Sequence, residues 1–207
     1  EAIFAFDPEE KTHADTALAE RNLWPQLNNL LRNVTALDPA CGSGSFLVGM
    51  LYVLDDLLAR AAVQLGIEET PYERKKRIIG QSLYGVDVMD WAVHVAELRL
   101  WLQLVIDTDL EPAELQFRPL LPNLSFKVRQ GDSLVQEIGS INLALRRGSR
   151  LIPPAIKGRI TQLKGEKLKF YQNDQQRKYQ TAQQLHLEEL RLFRDLLEGR
   201  IQALDTR

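Results

Sequence analysis

The chain has 207 residues, of which 44% are hydrophobic and 26% are charged, a composition that suits one globular domain, or one domain with an appendage. No apolar run is long enough to span a bilayer and no signal-peptide pattern is recognisable, which argues against a membrane protein or a secreted one. The single cysteine, Cys41, excludes an internal disulfide, and we expect a cytoplasmic protein.

The net charge of −2 conceals an uneven distribution along the chain. Residues 1–145 contain 12 Lys/Arg and 21 Asp/Glu, a net of −9, whereas residues 146–207 contain 14 Lys/Arg and 7 Asp/Glu, a net of +7. The composition also changes near Gly139. We therefore predict three parts: a polar N-terminal segment over 1–15, a domain over 16–139, and a basic helical appendage over 140–207.

The hydrophobic pattern predicts alternating helices and strands in the first two thirds of the chain. Helices are predicted over 16–32, 45–65, 71–79 and 90–106, and short strands over 34–37, 82–86 and 126–129. Gly66 suits the end of the second helix and Pro71 the start of the third. The fourth helix carries an apolar set at helical spacing, which predicts its amphipathic face: Trp91, Val95, Leu98, Leu102 and Val105.

This alternation predicts an α/β fold with a parallel sheet and right-handed crossovers. Beyond about Ala155, leucines and aromatic residues recur at helical spacing to Leu204. They predict two antiparallel helices that meet near Asn173 and Asp174, a helical hairpin.

Three aspartates, Asp38, Asp87 and Asp132, each follow one of the predicted strands. Ligands of parallel sheets bind at the carboxyl ends of the strands, so these carboxylates are expected to line one crevice. The alternative for Asp87 or Asp132 is a helix cap or a turn, which aspartate also favours.

The segment that begins at Asp38 reads Asp-Pro-Ala-Cys-Gly-Ser-Gly-Ser-Phe-Leu and joins a strand to a helix. Gly42 and Gly44 permit positive φ and remove Cβ atoms that would block a ligand, and the first N–H groups of the helix can meet a carboxylate. A triphosphate loop would need Lys followed by Ser or Thr after the last glycine, and a dinucleotide loop would need a third glycine where Leu47 stands. A tight turn without a ligand is the alternative.

This segment resembles the S-adenosylmethionine-binding motif of N6-adenine DNA methyltransferases, especially the large enzymes of restriction-modification systems. Related motifs of some RNA methyltransferases continue with a small polar residue instead of Phe-Leu. The resemblance covers about residues 22–136. It implies a Rossmann-like methyltransferase fold, here with an incomplete sheet, and S-adenosylmethionine as the cofactor.

The resemblance also implies roles for individual residues. The loop would hold the methionine part of the cofactor, Asp87 its ribose hydroxyls, Val88 its adenine ring and Asp132 the adenine amine. The cofactor-binding residues implied in this way are Asp38, Ala40, Gly42, Gly44, Phe46, Asp87, Val88, Asp132 and Ser133.

The family's catalytic motif, Asn, Asp or Ser followed by Pro-Pro and an aromatic residue, is missing. The dipeptide Pro153-Pro154 stands between Ile152 and Ala155, which can neither accept a hydrogen bond through the side chain nor stack on a base. We assign no catalytic residue, and the spacing of the three histidines suggests no metal site. The chain is therefore expected to be part of a larger enzyme and inactive alone.

A basic appendage on an acidic domain could meet the phosphates of DNA, or its charges could simply be solvated. The candidate contacts are Arg146, Arg147, Arg150, Lys157, Arg159 and Lys164. The remaining catalytic and target-recognition domains of the parent chain are the other expected partners. An RNA or protein methyltransferase, and an interaction module with a vestigial methyltransferase fold, remain alternatives.

Overall fold

The computed structural model of the chain describes residues 2–4, 7–107, 122–135, 137–138, 141–142 and 154–205. These residues belong to two compact units, Glu1–Ser133 and Leu134–Arg207. None of the described helices is long and apolar enough to cross a membrane. The domain bounds inferred from composition stay a prediction.

The first unit alternates helices with short strands, after a single 3-10 turn at Ala2–Phe4. In chain order its elements are α1 (Pro8–Glu20), α2 (Trp24–Asn33), β1 (Ala36–Asp38), α3 (Ser45–Leu65), α4 (Pro71–Gln81), β2 (Leu83–Asp87), α5 (Asp90–Val105) and β3 (Val128–Gln130).

The three strands of the first unit form one parallel sheet in the order β1-β2-β3. Asp38 lies opposite Gly85, and Asp87 lies opposite Gln130. Helices α3 and α5 both pack against β2, and α3 supplies much of the core through Leu47, Leu51 and other leucines. The α/β architecture is therefore the one that the alternation of helices and strands predicts.

Local sequence signals explain where α4 begins and where α3 ends. Thr70 and Glu73 form a reciprocal capping box at the start of α4, with Pro71 in its first turn. Gly66 adopts φ 64° at the end of α3, where its N–H donates to the carbonyl of Ala62. Both predicted helix boundaries are confirmed.

The single helix predicted over residues 16–32 is wrong, because two helices stand there. Asn22 adopts φ 50°, and the N–H groups of Asn22 and Leu23 donate to the carbonyls of Ala19 and Leu18. This paired bonding is the left-handed helix ending that asparagine tolerates. Pro25 lies in the first turn of α2, which begins at Trp24.

The apolar face predicted for α5 is also wrong. Trp91, at its start, is 60% exposed, and the other members of that set are exposed too. The helix instead buries a face with smaller side chains, composed of Ala92, Val93, Ala96, Leu100 and Leu104. Both faces are apolar in sequence, and the two alanines allow the helix to lie closer to its neighbours.

The second unit contains a short antiparallel pair, β4 (Glu137–Ile138) and β5 (Ile141–Asn142), and two long helices, α6 (Pro154–Tyr171) and α7 (Ala182–Asp205). Arg159, early in α6, pairs with Asp195 in the second half of α7, as antiparallel helices require. Asn173 adopts φ 55° just after α6, at the predicted turn. Leu163, Phe170, Tyr171, Leu185 and Leu192 are buried in this unit.

Candidate functional site

The carboxyl ends of the three parallel strands bring the predicted aspartates to one edge of the sheet. Asp38 is the last residue of β1, Asp87 the last of β2, and Asp132 follows the end of β3 by two residues. Loop contacts join the three strand ends: the Gly131 N–H donates to the Asp87 carbonyl at 2.9 Å, and the Ser133 hydroxyl donates to the Pro39 carbonyl at 2.7 Å. The sequence expectation of a shared edge is therefore met.

Asp87 fastens the loop between β1 and α3 to the end of β2. Its Oδ2 accepts a hydrogen bond from the Gly42 N–H at 2.8 Å, and its Oδ1 accepts one from the Met89 N–H at 2.9 Å. The Met89 N–H, followed by the Gly42 N–H, lowers the pKa of Asp87 below the ordinary carboxyl value. The side chain is consequently ionised at neutral pH.

The two glycines of this loop both adopt positive φ, but their surroundings differ. Gly42 has φ 51°, and a Cβ built on it would meet no atom within 4 Å. Gly44 has φ 80°, and a Cβ there would lie 2.9 Å from the Cβ of Ala96 on α5. Gly42 thus borders open space, whereas Gly44 allows the loop to touch α5.

Gly44 is also the residue that caps the start of α3. No side chain among the described residues caps this helix end, so the first-turn N–H groups are not satisfied by a capping carboxylate or hydroxyl. Phe46, in the first turn, is exposed. The helix end therefore presents donors and an apolar ring together.

The beginning of the loop is shaped by Asp38 and Cys41. The Asp38 carboxylate accepts a hydrogen bond from the Ala40 N–H at 3.1 Å, which is an Asx turn. Cys41 is buried, and burial first, then the charges of Asp38 and Asp87, raise the pKa of its thiol. Burial and a raised pKa both make this thiol a poor nucleophile, which favours a packing role for Cys41.

The far side of the edge carries Val88, Asp132 and Ser133. Val88 is exposed, and its carbonyl accepts a hydrogen bond from the Gln130 side chain at 3.1 Å. Asp132 is exposed at the sheet edge, while the Ser133 hydroxyl is engaged by Pro39. Ser133 therefore joins two loops, a role that the sequence pattern did not suggest.

Sequence reasoning missed Arg99, which reaches the loop from α5. Its Nη1 donates to the Ser43 carbonyl at 3.1 Å, the Ser43 hydroxyl at 3.2 Å and the Ser45 hydroxyl at 2.9 Å. An arginine on a helix has no local signature of such a role. Only the packing of α5 against the loop reveals it.

Only three of the six candidate DNA-contacting residues, Lys157, Arg159 and Lys164, lie in the described part of the second unit. Arg146, Arg147 and Arg150 lie outside the described residues, as do Ile152 and Pro153. Arg159 is engaged by Asp195 and Glu188, whereas Lys157 and Lys164, two helical turns apart on α6, make no ion pair within the described residues. Pro154 is the first residue of α6.

The described residues include no group of histidine, cysteine and acidic side chains that could hold a metal ion. The candidate site combines backbone donors, carboxylates, apolar side chains and the guanidinium of Arg99.

Comparisons with known proteins concern this same region of the chain. Residues 13–142 match the family described as "MmeI, DNA-methyltransferase domain". A stretch of 128 residues, 61% of the chain, is 39% identical to a protein of Methanocaldococcus jannaschii that is named as a type II restriction enzyme and methyltransferase. That stretch spans 11% of the relative's length. No solved structure matches the chain.

Proposed function

Because the chain belongs to the family of the MmeI DNA-methyltransferase domain, we propose that its first unit binds S-adenosylmethionine in an enzyme that methylates the N6 amine of adenine in DNA. The parent enzyme would belong to a restriction-modification system, as the name of the archaeal relative indicates for that protein. The observation that carries the proposal is the loop between β1 and α3, in which Gly42 borders open space and donates its N–H to Asp87.

The chemistry of this edge suits each part of the proposed cofactor. The N–H groups at the start of α3 can donate to the methionine carboxylate, and Asp38 can face the ammonium group. Asp87 keeps free lone pairs on both oxygens, so it can accept from ribose hydroxyls while it holds the loop. Exposed Val88 and Phe46 offer apolar contact, and Asp132 offers an acceptor for the adenine amine.

The proposed fold is the Rossmann-like fold of S-adenosylmethionine-dependent methyltransferases. The parallel order β1-β2-β3, with the loop after β1 at the carboxyl edge, supports it. The family match favours DNA over the RNA and protein substrates that the sequence leaves open.

Within this proposal the chain's own residues bind and orient the cofactor but do not orient the target base. When bound, the cofactor would supply an electrophilic methyl group from its sulfonium centre. Holding the adenine amine requires a side-chain acceptor and an aromatic platform, and no Asn-Pro-Pro-aromatic sequence occurs in these 207 residues. These groups, and the reading of the DNA sequence, are assigned to other parts of the parent enzyme.

The reaction itself is tested by methyl transfer to DNA. With tritiated S-adenosylmethionine and mixed-sequence DNA, we expect no incorporation by the chain alone, because its sequence contains no Asn-Pro-Pro-aromatic motif to position the target amine. The parent enzyme is expected to produce N6-methyladenine, measured by mass spectrometry of digested DNA. Another methylated base from the parent would contradict the adenine assignment. Incorporation by the chain alone that is lost in Pro153→Ala or Pro154→Ala would restore a catalytic role for that dipeptide.

The basic appendage is tested by the salt dependence of duplex binding. If Lys157 and Lys164 meet phosphates, replacing both with Gln should lower the slope of log affinity against log salt by about 1.8. A matched control, Lys169→Gln with Arg194→Gln, removes the same charge from residues that already pair with carboxylates. A slope for the Lys157 and Lys164 double variant equal to that of the unaltered chain would leave these two lysines with solvated charges and no contact to phosphates.

A further inference from the structure

Arg99 places a guanidinium against the loop at the candidate site. The two N–H groups of Nη1 are shared among three oxygens of Ser43 and Ser45, and the side chain is only partly exposed. Hydrogen bonds from a charged donor are stronger than neutral ones, and partial burial limits the competition from water. Arg99 therefore restrains both the loop backbone and the first residue of α3.

Helix α5 meets the same loop one turn earlier, where Gly44 touches Ala96. From the other side, Asp87 accepts the N–H of Gly42. The loop is thus held between the end of β2 and one side of α5. Two glycines with positive φ would otherwise give this segment a wide choice of backbone conformations.

Arg99 differs in its charge balance from three arginines of helices α3 and α4. Arg60, Arg74 and Arg77 each pair with a carboxylate. Arg99 makes no ion pair within the described residues, and its partners are hydroxyl and carbonyl oxygens. Its guanidinium lies beside the start of α3, which has no side-chain cap, and the two together favour an anionic group.

We propose that Arg99 is a positioning residue that sets the loop from Gly42 to Ser45 in its binding conformation and attracts the carboxylate of the cofactor. This inference rests on the proposed binding of S-adenosylmethionine. Ordering the loop before the cofactor arrives removes an entropic cost from the binding step. Loss of Arg99 should therefore weaken cofactor binding without abolishing the fold.

The test compares Arg99→Met with Arg99→Lys and with Gln103→Met in the 207-residue chain. Gln103 lies on the same helix and binds the Tyr52 hydroxyl at 2.6 Å, so its loss removes a bond from α5 that does not involve the loop. We expect Arg99→Met to weaken S-adenosylmethionine binding by about tenfold in calorimetric titration, Arg99→Lys to recover part of it, and Gln103→Met to bind as the unaltered chain does.

Amide hydrogen exchange supplies a readout that needs no cofactor. The N–H groups of Gly42 and Gly44, which donate to Asp87 and Cys41, should exchange faster in Arg99→Met and at the unaltered rate in Gln103→Met. Unchanged exchange in Arg99→Met, or an equal increase in both variants, would overturn the positioning role. Absence of S-adenosylmethionine binding by the unaltered chain would count against the proposed function, whereas the exchange rates would still decide the role of Arg99.

Discussion

Replacing Gly44 with alanine is expected to lower the free energy of unfolding by about 2–5 kcal/mol. Two effects add at this position. A residue with a Cβ is strained at φ 80°, and the new Cβ would lie 2.9 Å from the Cβ and 3.1 Å from the Cα of Ala96. Because the Cα belongs to the backbone of α5, the clash can be relieved only by moving the loop or the helix. Urea denaturation of both proteins measures the difference.

Gly42 provides the matched control for this substitution. It also has positive φ, but a Cβ on it meets nothing within 4 Å, so Gly42→Ala should cost only the backbone strain, about 1–2 kcal/mol. In the reverse direction, Ala96→Gly should recover part of the loss when it is combined with Gly44→Ala. Equal losses for the two glycine variants, with no recovery in the double variant, would show that the contact with Ala96 does not constrain the loop.

The elements that sequence reasoning predicted well are those with strong local chemistry. Helix α3 begins and ends at the predicted residues because a glycine stands at each end. Helix α4 starts at a proline inside a capping box. The three aspartates meet at one edge because parallel strands, whatever their length, place all their carboxyl ends together.

The errors arise where the local sequence allows two structures equally well. Helix α5 is apolar on two sides, so periodicity alone could not decide which side faces the sheet. The side that contains Ala96 is the buried one, and it touches Gly44, which lies 52 residues away in the chain. The helix predicted over residues 16–32 included Asn22, although asparagine is a residue type that can end a helix.

The site could be located from the sequence, but its internal bonding could not. The sequence placed Asp87 at the end of a strand, yet its bonds to Gly42 and Met89 require the three-dimensional turn. The role of Arg99 could not be predicted, because an isolated arginine on a helix most often lies in solvent. Long-range partners of this kind depend on how α5 sits against the loop, which no local pattern records.

Asp87→Ala is expected to weaken S-adenosylmethionine binding by roughly ten- to a hundredfold, because charge-assisted hydrogen bonds to the ribose hydroxyls would be lost. The substitution also frees the N–H groups of Gly42 and Met89, so part of the loss would come through the loop. Since those N–H groups lower the pKa of Asp87, its charge is retained through the neutral range and its contribution is lost only as the pH falls below the ordinary carboxyl range. Calorimetric titration at neutral pH measures the loss.

A cofactor analogue separates the two contributions of Asp87. S-adenosylhomocysteine and its counterpart without the two ribose hydroxyls are titrated into the unaltered chain, Asp87→Asn and Asp87→Ala. If Asp87 binds the ribose, Asp87→Ala should weaken the binding of S-adenosylhomocysteine much more than the binding of the analogue. Asp87→Asn, which keeps one acceptor oxygen, should have an intermediate effect. Equal weakening of both ligands would mean that Asp87 acts only by holding Gly42, and unchanged affinity in Asp87→Ala would place the ribose elsewhere on the sheet edge.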